Sequence, residues 1–150
     1  MDRNNVVPFT PLDDDGPDAA DQLVRVSPGV YTVVYERHQG FRIFGRPHTP
    51  THKVRIDFRL TEHPELIVPR WYRVKSFRPW ISAGPSSDIV RELCVVLSRR
   101  VKRLDRIPVS LLQGILATAI VKDVVTDHRQ HELAAINRYS VIERLVGRAD

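Results

Sequence analysis

The stretch Lys53-Val54-Arg55-Ile56-Asp57-Phe58-Arg59-Leu60 leaves the least room for choice about what this chain becomes. Val54, Ile56, Phe58 and Leu60 alternate with Lys53, Arg55, Asp57 and Arg59. Successive side chains of an extended strand point to opposite faces, so this period of two describes a strand with one face in a core and the other in water. Wound into a helix, the same residues would spread both kinds around the axis. A half-buried strand needs neighbours, and the rest of the chain offers them.

Upstream, Ser27-Pro28-Gly29 is a turn signal, and Val30-Tyr31-Thr32-Val33-Val34-Tyr35 is rich in the β-branched and aromatic residues that suit a pleated surface, which predicts a first strand. Gly40, Gly45, Pro47 and Pro50 then punctuate a loop-rich stretch whose apolar piece, Phe41 to Phe44, reads as an edge strand or hairpin arm. His63-Pro64-Glu65 ends the alternating strand. Leu66-Ile67-Val68 begins another, which Pro69 interrupts or confines to an edge and Arg70 to Val74 can continue.

After Gly84-Pro85, one of Ser86, Ser87 and Asp88 can cap a helix whose apolar Ile89, Val90, Leu93, Val96 and Leu97 fall mostly on one side. The basic run Arg99 to Arg106 lies at its end, where cations oppose the negative helix pole, and Ile107-Pro108 stops it. Ser110 to Gly114 reads as one helical turn with Gly114 as its stop. Ile115 to Thr126, rich in Ile, Val, Thr and Ala, reads as a long buried strand, and after a polar loop from Asp127 to Asn137 the segment Tyr139-Ser140-Val141-Ile142 closes the pattern. Several strands, one main helix and long loops predict a β-rich α+β fold, a small curled sheet or OB-like Greek-key barrel.

A chain of 150 residues suffices for one core and is short for two. Its net charge of +5 conceals an asymmetry: Met1 to Val24 holds one Arg and six Asp, a net of −5, so the remainder nets +10. Residues 1–26, with Pro8, Pro11, Pro17 and the run Asp13-Asp14-Asp15, are expected to form an acidic disordered tail; residues 27–150 form a basic domain. The tail also holds Val6-Val7-Pro8-Phe9, which suits a peptide docking on a protein partner or a counterion mimic for the basic body. A single cysteine, Cys94, permits no intrachain disulfide, and no segment reaches the ~18 apolar residues of a membrane span. A cytoplasmic protein with no membrane partner is the expectation.

Catalytic and metal-binding patterns are weak. Pro50 separates His48 from His52 and bars an ordinary helix between them, and His128 and His131 lack an evident further ligand, so loop histidines and no cofactor are expected. Asp57, Glu36, Asp105 and Asp123 are spread among arginines and read as ion-pair partners rather than the clustered acids of a metal-dependent nuclease. No glycine-rich nucleotide loop is present.

The strongest pointer to function is Pro69-Arg70-Trp71-Tyr72-Arg73-Val74-Lys75-Ser76-Phe77-Arg78-Pro79-Trp80, where aromatics and cations interleave. Aromatic faces stack on unpaired bases while Arg and Lys follow the phosphates, the combination by which single strands are bound without a sequence code. Arg70, Trp71, Tyr72, Arg73, Lys75, Arg78 and Trp80 are therefore candidate contacts, joined by Arg55 and Arg59 from the outward side of the preceding strand. Arg99, Arg100, Lys102 and Arg103 form a second cluster that reads as a phosphate-binding rim or a solvated helix end. The alternative assigns Trp71 and Trp80 to the core and the cations to water.

The order of the strand at Val30-Tyr31, the alternating Val54 to Leu60, Pro69-Arg70-Trp71-Tyr72, Ser87-Asp88, Arg103-Leu104-Asp105-Arg106-Ile107-Pro108 and Tyr139-Ser140-Val141-Ile142 resembles uncharacterised proteins of phages, plasmids and integrative elements. Some of these are thought to have OB-like cores related to single-stranded-DNA-binding proteins. In the bacterial members of that group the acidic docking tip is C-terminal, whereas Asp13-Asp14-Asp15 here is N-terminal.

The expected function is non-enzymatic binding of nucleic acid, single-stranded DNA favoured, with a homo-oligomer left open. The rival is a protein-interaction module, an inhibitor or adaptor from a mobile element using the same surface, because Arg, Trp and Tyr also dominate protein hot spots.

Overall fold

Val33, Val54, Ile56, Phe58 and Leu60, the apolar members of the two clearest strands, are all buried in a common core. The computed structural model describes residues 24–44, 50–125 and 139–149. Five strands, β1 (Gly29–Phe44), β2 (Pro50–Leu60), β3 (Ile67–Val74), β4 (Leu116–Val124) and β5 (Tyr139–Arg148), form one antiparallel sheet in the order β3-β2-β1-β4-β5. The helix α1 (Asp88–Leu97) and a 3-10 turn (Val109–Leu112) lie between β3 and β4. The sheet curls without closing until the edge strands β3 and β5 approach each other, an OB-like α+β arrangement.

β1 is one strand of 16 residues, not the two pieces its glycine and polar interruption suggest. Its start, Gly29–Val34, pairs with Leu116–Val121 of β4, and Val33–Phe44 pairs with β2. A bulge lies between Tyr35, opposite Phe58, and Arg37, opposite Asp57. The extra residue, Glu36, shifts the alternation of β1 by one, so that Arg37, Gln39 and Phe41 follow the outward residues of β2 and Gly40 faces inward. Gly40 has no substitute there, because a Cβ would lie 2.4 Å from the Phe77 ring that packs over it.

α1 packs Ile89, Val90, Leu93 and Val96 onto the open side of the sheet. Ser87 occupies its N-cap position, but its hydroxyl donates to the Gly84 carbonyl at 2.7 Å instead of capping. The helix ends at Leu97 with Ser98 in the left-handed conformation, so the basic run follows the helix and contributes no charge to its last turn. The last helical turn expected near Ser110 is the 3-10 turn, and Gly114 (φ +79°) ends it. Pro69 lies within β3, and β3 is an edge.

The seam between β3 and β5 is held by Glu92, a buried acid on the apolar face of α1. Its carboxylate accepts from Arg70 Nε (3.1 Å) and Tyr72 Oη (2.7 Å) of β3 and from the Leu145 amide (2.9 Å) of β5. One side chain thus ties both sheet edges to the helix.

The described chain also begins earlier than the expected boundary at Ser27. Val24 and Val26 pack against the core, the Ser140 amide donates to the Val24 carbonyl (2.8 Å), and the Val26 amide donates to Ser140 Oγ (2.9 Å). The rest of the acidic tail, like residues 45–49 and 126–138, lies outside the described residues.

Candidate nucleic-acid interface

Antiparallel register assembles the outward face of β1, β2 and β3 in rows. Phe41, Lys53 and Arg73 form one row; Gln39, Arg55 and Trp71 the next; Arg37, Asp57 and Pro69 the third. Rows two residues apart along a strand are roughly 6.6 Å apart, which puts neighbouring rows within reach of aromatic side chains. Phe41 and Trp71, diagonal neighbours, have ring centroids 5.2 Å apart, and the Arg55 guanidinium carbon lies 5.2 Å from the first and 5.8 Å from the second. Phe41 is buried by this packing while Trp71 stays half-exposed.

The outward side of β2 is therefore not the wet face its alternation predicts. Arg55 is 6% exposed and Asp57 5%: Phe41 and Trp71 flank the Arg55 guanidinium, and Arg55 and Arg37 flank Asp57. Asp57 is ion-paired to Arg55 (Nε at 3.0 Å) and to Arg37 (Nε at 3.1 Å). Burial raises the Asp57 pKa above the ordinary carboxylate value, more than the two guanidiniums lower it. Arg55 is thus the buried partner of an acid and the spacer between two rings, not a phosphate contact.

Lys53 and Arg73 differ. They are directly opposed across β2 and β3, and neither has a carboxylate partner among the described residues. Burial first, then the neighbouring guanidinium, lowers the Lys53 pKa. Like charges directly opposite each other destabilise a sheet, and an anion bound between them would relieve both.

Of the residues singled out from sequence, Arg55, Arg59, Trp71 and Arg73 share this face. Arg59 sits at its far end, ion-paired to Glu36 at 2.9 Å and bonded to the Pro64 carbonyl. Arg70 and Tyr72 belong to the interior, since the period of two that turns Trp71 outward turns them onto Glu92. Lys75, exposed, follows the end of β3. Arg78 and Trp80 lie on the loop whose Phe77 packs on the inward side of Gly40, and Trp80, 50% exposed, carries the Arg106 guanidinium 3.7 Å above its ring. Arg99, Arg100, Lys102 and Arg103 are exposed beyond α1, with Arg103 paired to Asp105 at 2.9 Å. The twelve-residue motif is thus split among the sheet face, the interior and a separate loop.

Gln39, Phe41, Lys53 and Arg37 were missed as members of the face. Lys53 carried a signal, being on the same side of the alternating strand as Arg55. The β1 residues carried none, because the bulge that turns them outward is invisible without the pairing.

Each dispersed acid is ion-paired: Asp57 with Arg55 and Arg37, Glu36 with Arg59, Asp105 with Arg103, and Asp123 with Arg25 at 3.3 Å. The His52 ring packs edge-on to Phe77, 5.7 Å between centroids, while His48, His128 and His131 lie outside the described residues. Among the described residues no three His, Cys, Asp or Glu side chains group as metal ligands, and no helix is long and apolar enough to cross a membrane. No family model, no curated protein and no solved structure matches the chain.

Proposed function

We propose that this domain binds single-stranded nucleic acid along the outward face of β1, β2 and β3. The observation that carries the reading is the row pattern: Lys53 and Arg73, with no carboxylate partner among the described residues, stand beside the half-buried Trp71, which Arg55 and Phe41 brace. A phosphate between Lys53 and Arg73 would place its base over Trp71, the pairing of charge and stacking that single-strand sites use. In OB-type barrels the β2 and β3 face is the oligonucleotide surface, and the strand order here is of that type. Fold alone assigns no function; the charge and ring placement supports it. Arg55, Gln39 and Phe41 act as braces that keep the platform in place.

The test is titration of the full chain with labelled oligonucleotides. Single strands should bind more tightly than duplex of equal length and quench tryptophan fluorescence, with Trp71→Ala costing ~1–3 kcal/mol of stacking. The double variant Lys53→Ala, Arg73→Ala should reduce the log–log salt slope by about 0.7, the share of the one phosphate the two hold. A folded protein that binds no oligonucleotide at low salt would sink the reading and leave protein docking in its place.

A further inference from the structure

The sheet face leaves a second basic surface unused. After α1 the chain runs without helix from Arg99 to Arg106, yet it is not loose: Val101, Leu104 and Ile107 pack against the core. The Ala83 amide donates to the Leu104 carbonyl at 3.1 Å, and the Ile107 amide to the Ile81 carbonyl at 2.8 Å. Anchoring every third residue or so leaves Arg99, Arg100, Lys102, Arg103 and Arg106 projecting outward from a fixed backbone.

The helix dipole does not account for them, because its pull fades within the last turn and the run begins beyond the C-cap at Ser98. Asp105 engages Arg103, while Arg99, Arg100 and Lys102 have no carboxylate partner among the described residues. Stacking is not what this surface offers. One face of Trp80 is covered by Arg106, and Phe77 is turned onto Gly40. Apart from the uncovered face of Trp80, what remains is an array of fixed cations, which suits a phosphate backbone. Duplex presents one charge per ≈1.7 Å of axis against 3.4 Å for a single strand, so such an array gains most from duplex.

The basic segment is joined to the end of β3 through residues 81–83: the Lys75 amide donates to the Ser82 carbonyl at 2.8 Å, and Ile81 and Ala83 on either side of Ser82 bond Ile107 and Leu104. Arg73 faces outward on the sheet just before Lys75. We infer that the protein binds junctions, holding an unpaired strand on the sheet face and the adjoining duplex backbone on the Arg99–Arg106 segment. This rests on the single-strand reading of the sheet face. Two linked contacts on one ligand make the second intramolecular, so a junction binds more tightly than either part without any new chemistry.

The experiment compares the full chain on three probes: a single strand, a blunt duplex, and that duplex bearing the same strand as an overhang. The overhang probe should bind at least about tenfold tighter than the single strand at low salt. In the triple variant Arg99→Ala, Arg100→Ala, Lys102→Ala that gain should vanish and the overhang salt slope should fall by about 2.7, three phosphates at about 0.9 each, while single-strand affinity is unchanged. The altered side chains are exposed and the apolar anchors remain, so the fold is kept. Equal affinity for overhang and single strand, or a gain the triple variant retains, overturns the junction proposal alone. Failure of the unaltered protein to bind any single strand overturns the sheet-face reading with it.

Discussion

Replacing Glu92 by Gln removes one charge at the seam where the sheet fails to close, and its consequence follows from what surrounds it. Glu92 is 6% exposed, and Arg70, its partner, has a side chain only 12% exposed. The amide oxygen of Gln can still accept from Tyr72 and Leu145, which both bond the same carboxylate oxygen. Its NH2 then faces Arg70 Nη2, donor against donor, and leaves a nearly buried charge with the exposed Asp88 carboxylate, 3.8 Å away, in place of its close partner. Breaking a buried pair from one side costs ~3–5 kcal/mol, a large share of the 5–15 kcal/mol typical of a domain. Urea denaturation with linear extrapolation should show that loss for Glu92→Gln and a comparable one for Arg70→Met, and the double variant should be far less damaged than the sum, because each change removes the charge the other orphans. In Glu92→Ala, which removes the acceptor altogether, the Leu145 amide should also exchange faster, since that bond holds β5 to α1 there. A loss under ~1 kcal/mol, or strict additivity of the two changes, would refute the account of Glu92 as the tie between the edges.

Gly40→Ala should cost ~1–3 kcal/mol of overpacking, because the added methyl would fall inside the Phe77 ring; urea midpoints measure it, and the double variant with Phe77→Leu should recover part of the loss. Asp57 gives a pH signature. Its folded pKa lies above the ordinary 3.8, so its stabilising contribution is complete below 3.8 and is lost as the pH rises through the raised folded value. Acidification from neutrality should therefore stabilise the native protein relative to Asp57→Asn, which cannot take up that proton; a difference between the two that is flat with pH, or shrinks on acidification, contradicts the sign.

The fold was legible wherever a face was buried against something continuous. Val54 to Leu60 alternates because α1 and the barrel interior fill one side of β2, and Ile89, Val90, Leu93 and Val96 repeat because that same interior fills one side of the helix. What remained hidden depends on partners distant in sequence. Glu92 interrupts the apolar face of the helix as a charge, and only Arg70, 22 residues upstream, and Leu145, 53 downstream, explain it. The site was half legible for the same reason. Aromatics interleaved with cations single out Trp71 and Arg73, which lie on the outward face of β3, yet the strand period sends their neighbours Arg70 and Tyr72 inward. Local composition names the residue types present but not which side of the sheet each one joins.

The bulge at Glu36 is the device that decides this for β1, and it offers a sharp test. Tyr35 pairs with Phe58 and Arg37 with Asp57, so the pairing on either side of Glu36 is already continuous without it. A deletion in the middle of a paired strand ordinarily reverses every face beyond it. Deletion of Glu36 should not: Gln39 and Phe41 should stay outward, the Phe41 and Trp71 contact should survive, and oligonucleotide quenching should persist. Two things are lost, the counterion of Arg59 and the local bend that a bulge gives a strand, and with a 16-residue strand shared between two neighbours that bend assists the curl. The shortened protein should therefore be less stable while binding as before. Tryptophan emission and a salt titration of the deletion variant read the two effects separately. A folded deletion variant that has lost the quench would mean that Glu36 sets the orientation of Phe41 by more than its count in the strand.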